Sequence, residues 1–455
     1  MTTPDRTPLP CDLVITARAA FLLDDAGTIV SDVGVAIAGD RIAAIGPRAE
    51  IEAAWEPARR LGSARHLLMP GLVNTHNHTP LMIVRGMVED LSFAPAYTPG
   101  IPQGDALSFE EAHALARLGV YELLRFGSTT IVDFYRHPEA LARAAEEAGL
   151  RAFVGGRVMD ADNAALARGE WRADASRGRA TLAEAMDVVE RRRAPGSLVT
   201  PILGPHAPDT CSPDLLREVA GIAAAKDLIL HTHLHQSPME VDVVLARDGM
   251  RPVELMEEVG LLGPRLVAGH CIHMTDGDIA RFGRSGSHVA HVPVGNAAHG
   301  SVAPILAHEA AGAGITLATD TKSGDMFEAM RMALAATRIR GGGFVKSAAD
   351  VLAWATRGGA AALGLAEEIG QIAVGRKADL LLLDASAPNL APLVDGPGLL
   401  VHSASGAVVD TVVVDGRVLV EGGRPTLFDG DEVIATAEAV ARSLWRRHGH
   451  APRIA

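Results

Sequence analysis

Hydrophobic and polar positions follow two different rhythms along the chain. In the first 67 residues the apolar stretches are short and strand-like. Asp12-Leu13-Val14-Ile15 predicts a short strand, and Val35–Ala38 and Arg41–Ile45 flank Gly39-Asp40, a two-residue hairpin signal. From Leu72 onward, eight apolar runs alternate with alanine-rich stretches of helical spacing. They are Leu72–Asn74, Thr129–Val132, Ala152–Val154, Val199–Leu203, Leu228–Leu230, Leu266–Ala268, Val289–Val292 and Ile315–Ala318. Strands that alternate with helices imply a parallel sheet, and eight such units over roughly 250 residues predict a (β/α)8 barrel of the TIM type. A doubly wound open sheet is the competitor, but no glycine-rich dinucleotide fingerprint follows a first strand. After residue 370 the short rhythm returns. Ala378–Leu383 predicts a strand, and Thr411–Val414 and Arg417–Val420 flank Asp415-Gly416, a second hairpin signal. Val433, Ala437, Val440 and Leu444 recur at helical spacing in a final helix near Asp431–Arg447. The predicted division is therefore 1–67 for the first portion of a small β-sandwich, 68–369 for the barrel, and 370–455 for the second portion with its helix.

Composition narrows the function classes. The 455 residues are 48% hydrophobic and 21% charged, with a net charge of -13. No basic stripe is present, which speaks against nucleic-acid partners. No apolar run is long enough for a bilayer, and Met1–Arg6 lacks the features of a signal peptide. Cys11, Cys211 and Cys271 are too few and too scattered for a disulfide framework, so a reducing cytoplasm is the expected location. A long proline-containing segment, Gly86–Gly104, is expected to act as a lid over the barrel mouth.

The candidate chemistry sits at the C-terminal ends of the predicted strands, where barrel enzymes build their sites. The first ends in His76-Asn77-His78, whose two histidines point the same way because alternate strand residues share a face. The fourth ends in Gly204-Pro205-His206 and the fifth runs into His231-Thr232-His233-Leu234-His235-Gln236. The sixth ends in Gly269-His270-Cys271, the seventh gives His291, Asn296 and His299, and the eighth gives Thr319-Asp320. Three neutral imidazoles and a carboxylate leave a divalent metal room for a water, whose pKa falls towards ~7. Asp320 is the candidate for taking the water proton and passing it to the leaving group. A neutral His270 would steady the developing charge.

These motifs resemble the amidohydrolase superfamily, in its branch of cytosine/guanine-deaminase-like and methylthioadenosine/S-adenosylhomocysteine-deaminase-like enzymes. The resemblance spans nearly the whole chain. It is carried by Met69-Pro70-Gly71-Leu72-Val73-Asn74-Thr75-His76-Asn77-His78, Gly204-Pro205-His206-Ala207-Pro208, His231-Thr232-His233, Gly269-His270-Cys271, Thr319-Asp320 and the closing Gly370–Asp379 segment. It implies a distorted barrel with a composite β-sandwich. It also implies one divalent metal, zinc or alternatively iron, held by His76, His78, His233 and Asp320, with His270 beside the bound water. Members with two metals usually carry a lysine at the end of strand four; this chain has His206, which the resemblance makes a substrate contact. Related enzymes are commonly homo-oligomers.

The chain departs from the branch at three places. Gln236 stands where a proton-shuttling glutamate is usual, and a glutamine can hydrogen-bond but cannot shuttle a proton in that way. Asp209 replaces an aromatic residue, and the loop Asp320–Asp325 is short. His235 and His299 are further candidates for substrate contact, and His231, deeper in the barrel, for a structural hydrogen bond. The expected activity is hydrolysis of a non-peptide C–N bond, by hydroxide generated at the metal, in the deamination of a small nitrogen heterocycle. Gln236 favours the alternative of opening a cyclic amide or displacing halide or alkylamine from a triazine-like ring. A catalytically silent binding protein on the same barrel is the reading from another class.

Overall fold

The structure, a computed structural model, describes residues 8–87, 100–168, 170–194, 196–321 and 323–450. The expected lid falls largely on 88–99, outside the described residues. No helix among the described residues is long and apolar enough to cross a membrane.

Strands from both chain ends form one eight-stranded sheet. They are β1 (Leu9–Phe21), β2 (Ile29–Ala38), β3 (Arg41–Pro47), β4 (Trp55–Pro70), β13 (Leu380–Asp384), β14 (Val409–Val414), β15 (Arg417–Glu421) and β16 (Arg424–Pro425), in the order β16-β15-β14-β13-β4-β1-β2-β3. Both hairpin signals hold: β2 pairs with β3 and β14 with β15, and Asp415 and Gly416 both take positive φ in the tight turn. Apolar residues of both chain ends, among them Leu13, Ile15, Val35, Leu380 and Val413, share one core. β1 has 13 residues, longer than the predicted strand. β4 went unpredicted because its first half is largely exposed and rich in arginine. It pairs in parallel with β1, and Gly62 permits the contact, since a Cβ there would lie 2.1 Å from the Thr16 carbonyl oxygen. The end of β4 then pairs antiparallel with β13, Pro70 opposite Leu380.

The barrel strands follow in sequence order and all run parallel: β5 (Leu72–Asn77), β6 (Ser128–Tyr135), β7 (Arg151–Val158), β8 (Val199–Pro205), β9 (Leu230–Leu234), β10 (Leu266–His270), β11 (His288–His291) and β12 (Gly314–Leu317). Every residue of β5, β6 and β7 is buried, as a parallel sheet covered on both faces requires. β12 and β5, the ends of the series, meet through polar bonds. Thr75 Oγ1 donates to Leu317 O at 3.1 Å, and the Asp320 N–H donates to His76 O at 3.0 Å. The surrounding helices begin on side-chain caps, including Ser108, Ser212, Ser237, Thr275 and Asp325. At the other end of the barrel, Arg151 of β7 bridges to Asp379 and Asp415, tying the barrel to the outer sheet.

Candidate metal centre

β5 delivers His76 and His78 side by side, their ring centroids 4.8 Å apart. His233 comes from β9, His270 from the last position of β10, and Asp320 from just beyond β12. Asp320 Oδ1 lies 3.9 Å from His76 Nε2 and 3.8 Å from His78 Nε2, and its Oδ2 lies 3.9 Å from His270 Nε2. Side chains from four strand ends thus converge on one point.

The hydrogen bonds decide which ring nitrogens face that point. His78 Nδ1 donates to Phe134 O at 2.7 Å and His233 Nδ1 donates to His206 O at 2.8 Å. Each ring therefore turns a lone pair outward on Nε2, and the two Nε2 atoms are only 3.1 Å apart. Facing lone pairs repel, so this spacing calls for a cation between them. His76 Nε2 is buried without a hydrogen-bond partner, while its Nδ1 lies 2.6 Å from His231 Nε2. His270 Nδ1 donates to Asn296 Oδ1 at 2.9 Å, which leaves its Nε2 towards Asp320. Burial, reinforced by neighbouring histidines, holds His76 and His233 well below the ordinary imidazole pKa; burial takes His78 down to about 4. Neutral imidazole is the ligand form. The donor set of nitrogen and carboxylate oxygen, with outward lone pairs and bonded second nitrogens, fits a divalent metal.

The backbone is unusual here. Asp320, His270, Cys271 and His235 all have positive φ, from 50° to 73°. Such conformations cost non-glycine residues energy and cluster at functional sites. Gly269 is required for a different reason: a Cβ there would stand 2.8 Å from His76 Cε1, inside the space the ring occupies.

The remaining expected residues divide. His206 is buried with its ring centroid 4.8 Å from that of His233; its Nδ1 donates to Thr210 Oγ1 at 2.7 Å, leaving Nε2 as an acceptor. Asp209 is fully buried, and its carbonyl accepts from Trp171 Nε1. Gln236 is half-buried, with its backbone N–H bonded to Glu240. His235 is not brought to the centre. β9 ends at Leu234, and the positive φ of His235 turns its ring into neighbouring backbone, where Nδ1 donates to His273 O and Nε2 accepts from the Val253 N–H. His299 is exposed at the end of helix Pro293–Ala298. Cys271 is buried, and burial holds its thiol well above the usual range.

Two further residues belong to the site. Glu240, fully buried, accepts the N–H groups of His235 and Gln236, and its signal was the Ser237-Pro238-Met239-Glu240 helix-start pattern. Arg157 closes the strand run Gly155-Gly156-Arg157 near the end of β7, and its charge opposes protonation of both His78 and His206. It lines a cavity of about 310 Å³ with Arg136, Arg177, Asp105, Gln103 and Asp162. Asp105 pairs with Arg136 at 2.8 Å and with Arg177 at 2.7 Å.

Comparison with known proteins agrees with this geometry. The amidohydrolase family matches residues 67–419. The chain is 35% identical over 438 residues to the 5-methylthioadenosine/S-adenosylhomocysteine deaminase of Moorella thermoacetica, covering 92% of this chain and 97% of that one. It is 36% identical over 385 residues to the 5'-deoxyadenosine deaminase of Methanothermobacter thermautotrophicus, covering 83% and 87%. Among solved structures, a zinc-bound adenosine deaminase from Xanthomonas campestris superposes with a TM-score of 0.86 at 28% identity, covering 97% of this chain and all of that one. The fold is shared more distantly with the atrazine chlorohydrolase of Arthrobacter aurescens, at a TM-score of 0.84 and 22% identity over 94% of this chain and 100% of that one. The chain belongs to the amidohydrolase family.

Proposed function

We propose that this protein is a metal-dependent hydrolase that removes an amino group, as ammonia, from a purine-type nitrogen heterocycle. The carrying observation is the pair of outward-facing Nε2 atoms of His78 and His233, 3.1 Å apart beside His76 and Asp320. The names of the relatives support the ring class, since they are deaminases of adenine nucleosides.

In this reading His76, His78, His233 and Asp320 hold one divalent metal per chain, zinc in the first instance. When bound, the metal supplies a water of lowered pKa and positive charge for the transition state. Asp320 takes a proton from the attacking water and returns one to the departing amine. Its positive φ and its backbone bond to His76 O fix the carboxylate among the ring nitrogens. His270, steered by Asn296, turns the lone pair of its Nε2 towards Asp320 Oδ2, where it can accept a hydrogen bond from the attacking water. In this reading His206 Nε2 meets the ring, and the group attached to the ring extends towards Arg157, whose charge acts on both His78 and His206. A homo-oligomer in the cytoplasm completes the reading; the three free cysteines agree with a reducing compartment.

The test is metal analysis of the purified protein joined to an ammonia-release assay over adenine nucleosides, guanine, pterins and triazines. About one metal per chain and ammonia from adenine nucleosides are expected. No metal after reconstitution would remove the central claim. One observation favours a second reading: Gln236 lacks the proton-shuttling ability of a glutamate. Metal with halide or alkylamine released from triazines, and no ammonia from any ring, would select that reading.

A further inference from the structure

The barrel strands pair in ladders from β5 round to β12, and among the described residues no ladder joins β12 back to β5. Side chains bridge this seam beside the candidate ligands. Asn74 and Asn77 of β5 and Thr319, just past β12, are all buried. Asn74 Oδ1 accepts the Thr319 N–H at 3.1 Å, and Asn74 Nδ2 donates to Thr319 Oγ1 at 2.7 Å. Thr319 Oγ1 donates in turn to Asn77 Oδ1 at 3.0 Å, and Asn77 Nδ2 donates to Val132 O at 3.2 Å.

The direction of this chain of bonds is fixed from both ends. The Thr319 N–H can only donate and the Val132 carbonyl can only accept, so each amide has one orientation and the Thr319 hydroxyl proton is committed to Asn77. A buried network whose members are all satisfied is rigid, because turning any one of them strands a polar group away from water.

The residue after Thr319 needs such support. Asp320 has a φ of +60°, a left-handed backbone that persists in a non-glycine residue where its surroundings over-determine it. The Asp320 N–H is bonded to His76 O at 3.0 Å. Two successive N–H groups, of Thr319 and Asp320, are thus tied to β5, which fixes the peptide planes on both sides of Thr319. Asn74 lies two residues before His76, and Asn77 sits between His76 and His78. The network therefore ties Asp320 to the same short stretch that delivers both histidines.

On the metal-centre reading above, we propose that Asn74, Thr319 and Asn77 are positioning residues that hold the Asp320 carboxylate against the Nε2 atoms of His76 and His78. The carboxylate then stands 3.9 and 3.8 Å from those atoms because of bonds made on the far side of its own backbone. A stitch that served only to close the barrel would stabilise the fold without regard to Asp320.

The test uses cobalt(II) as the probe, with affinity read by chelator competition and ligand geometry by the visible absorption spectrum. Wild type is compared with Thr319→Val, which keeps the shape and removes the hydroxyl, with Thr319→Ser, which restores the hydroxyl, with Asp320→Ala, and with the double variant Thr319→Val/Asp320→Ala. Thermal unfolding checks each fold. Thr319→Val is expected to weaken cobalt binding about 10- to 100-fold and to change the spectrum. Thr319→Ser is expected to recover both. Once Asp320 is gone, adding Thr319→Val should cost less than about twofold, since the two changes act through one carboxylate. A purely structural role would give the same loss in both backgrounds. Asn77→Ala removes the last link and is expected to act in the same direction; it carries the test if Thr319→Val does not fold, and if neither folds the network is a structural stitch and the inference falls. Wild-type affinity and spectrum in Thr319→Val, or an equal loss without Asp320, would overturn the inference and leave the metal centre standing. Wild type that takes up no cobalt would remove the centre and the inference together.

Discussion

The ends of β5 and β9 carry the same kind of sequence and come to different ends. At the end of β5, His76 and His78 flank the last strand residue, Asn77, and both rings reach the centre because His78 keeps an extended φ of -138°. In β9, three histidines are spaced by two, yet only His233 points a free Nε2 at the centre. His231, one step deeper, backs the ring of His76, and His235, one step beyond the strand, is rotated into the backbone of its neighbours. Identical spacing thus yields a ligand candidate, a support and a brace. What separates the two strand ends is which way the first residue past each strand turns: His78 keeps φ -138°, whereas His235 takes φ 51°.

Substitutions that break this comparison rank by expected effect. His76→Ala and His233→Ala should bring metal content near zero and lower ammonia release by roughly 10³-fold, measured by metal analysis and steady-state rates. Asp320→Asn should lower kcat by about 10²- to 10⁴-fold through loss of proton transfer, with the fold retained by circular dichroism. His231→Phe should weaken metal affinity about 10- to 100-fold, read by competition with a chelator, because the partner of His76 Nδ1 is gone. His235→Ala should leave metal affinity unchanged and cost about 1–3 kcal/mol in denaturant unfolding, since the Val253 N–H and the His273 carbonyl lose their partner. Should His235→Ala instead strip the metal, the distinction between ligand and brace would fail.

A gentler probe is pH. His291 and His308 lie outside the proposed ligand set, and burial lowers them from 6.5 to about 3 and about 4. Their folded values lie below the unfolded one, so the unfolded chain binds more protons across that interval. Stability from this source is complete above pH 6.5 and declines as pH falls towards 4, by about 1.4 kcal/mol per pH unit for each group. Urea midpoints of the metal-free protein at pH 7 and pH 5 should show the decline.

The barrel was legible because each buried strand writes itself as an apolar run and each ends in a polar residue that needs a reason. That logic gathered His76, His78, His206, His231, His233, His235, His270 and Asp320 at strand ends, and the resemblance to the amidohydrolase superfamily singled out His76, His78, His233 and Asp320 as ligands. β4 was not legible, since much of its apolar signal comes only at Leu67, Leu68 and Met69, after an exposed half carrying Arg59 and Arg60. His235 was placed too near the substrate because alternation was extended past Leu234, where β9 ends. Glu240 escaped notice because its role is to hold the backbone of His235 and Gln236, and the bond of Asn296 to His270 was not legible because it spans 26 positions of sequence.

The pairing of β4 with β13 also sets an order of events during synthesis. β4 leaves the ribosome just ahead of the first metal-site histidine, but its partner at Leu380–Asp384 is translated only after all eight barrel strands. Until then one edge of β4 is bare, and Arg151 has neither Asp379 nor Asp415 to neutralise it. A nascent chain that stalls inside the barrel therefore displays an open sheet edge and a lone buried cation, both marks of an unfinished protein. Maturation of the enzyme is tied in this way to completion of its message.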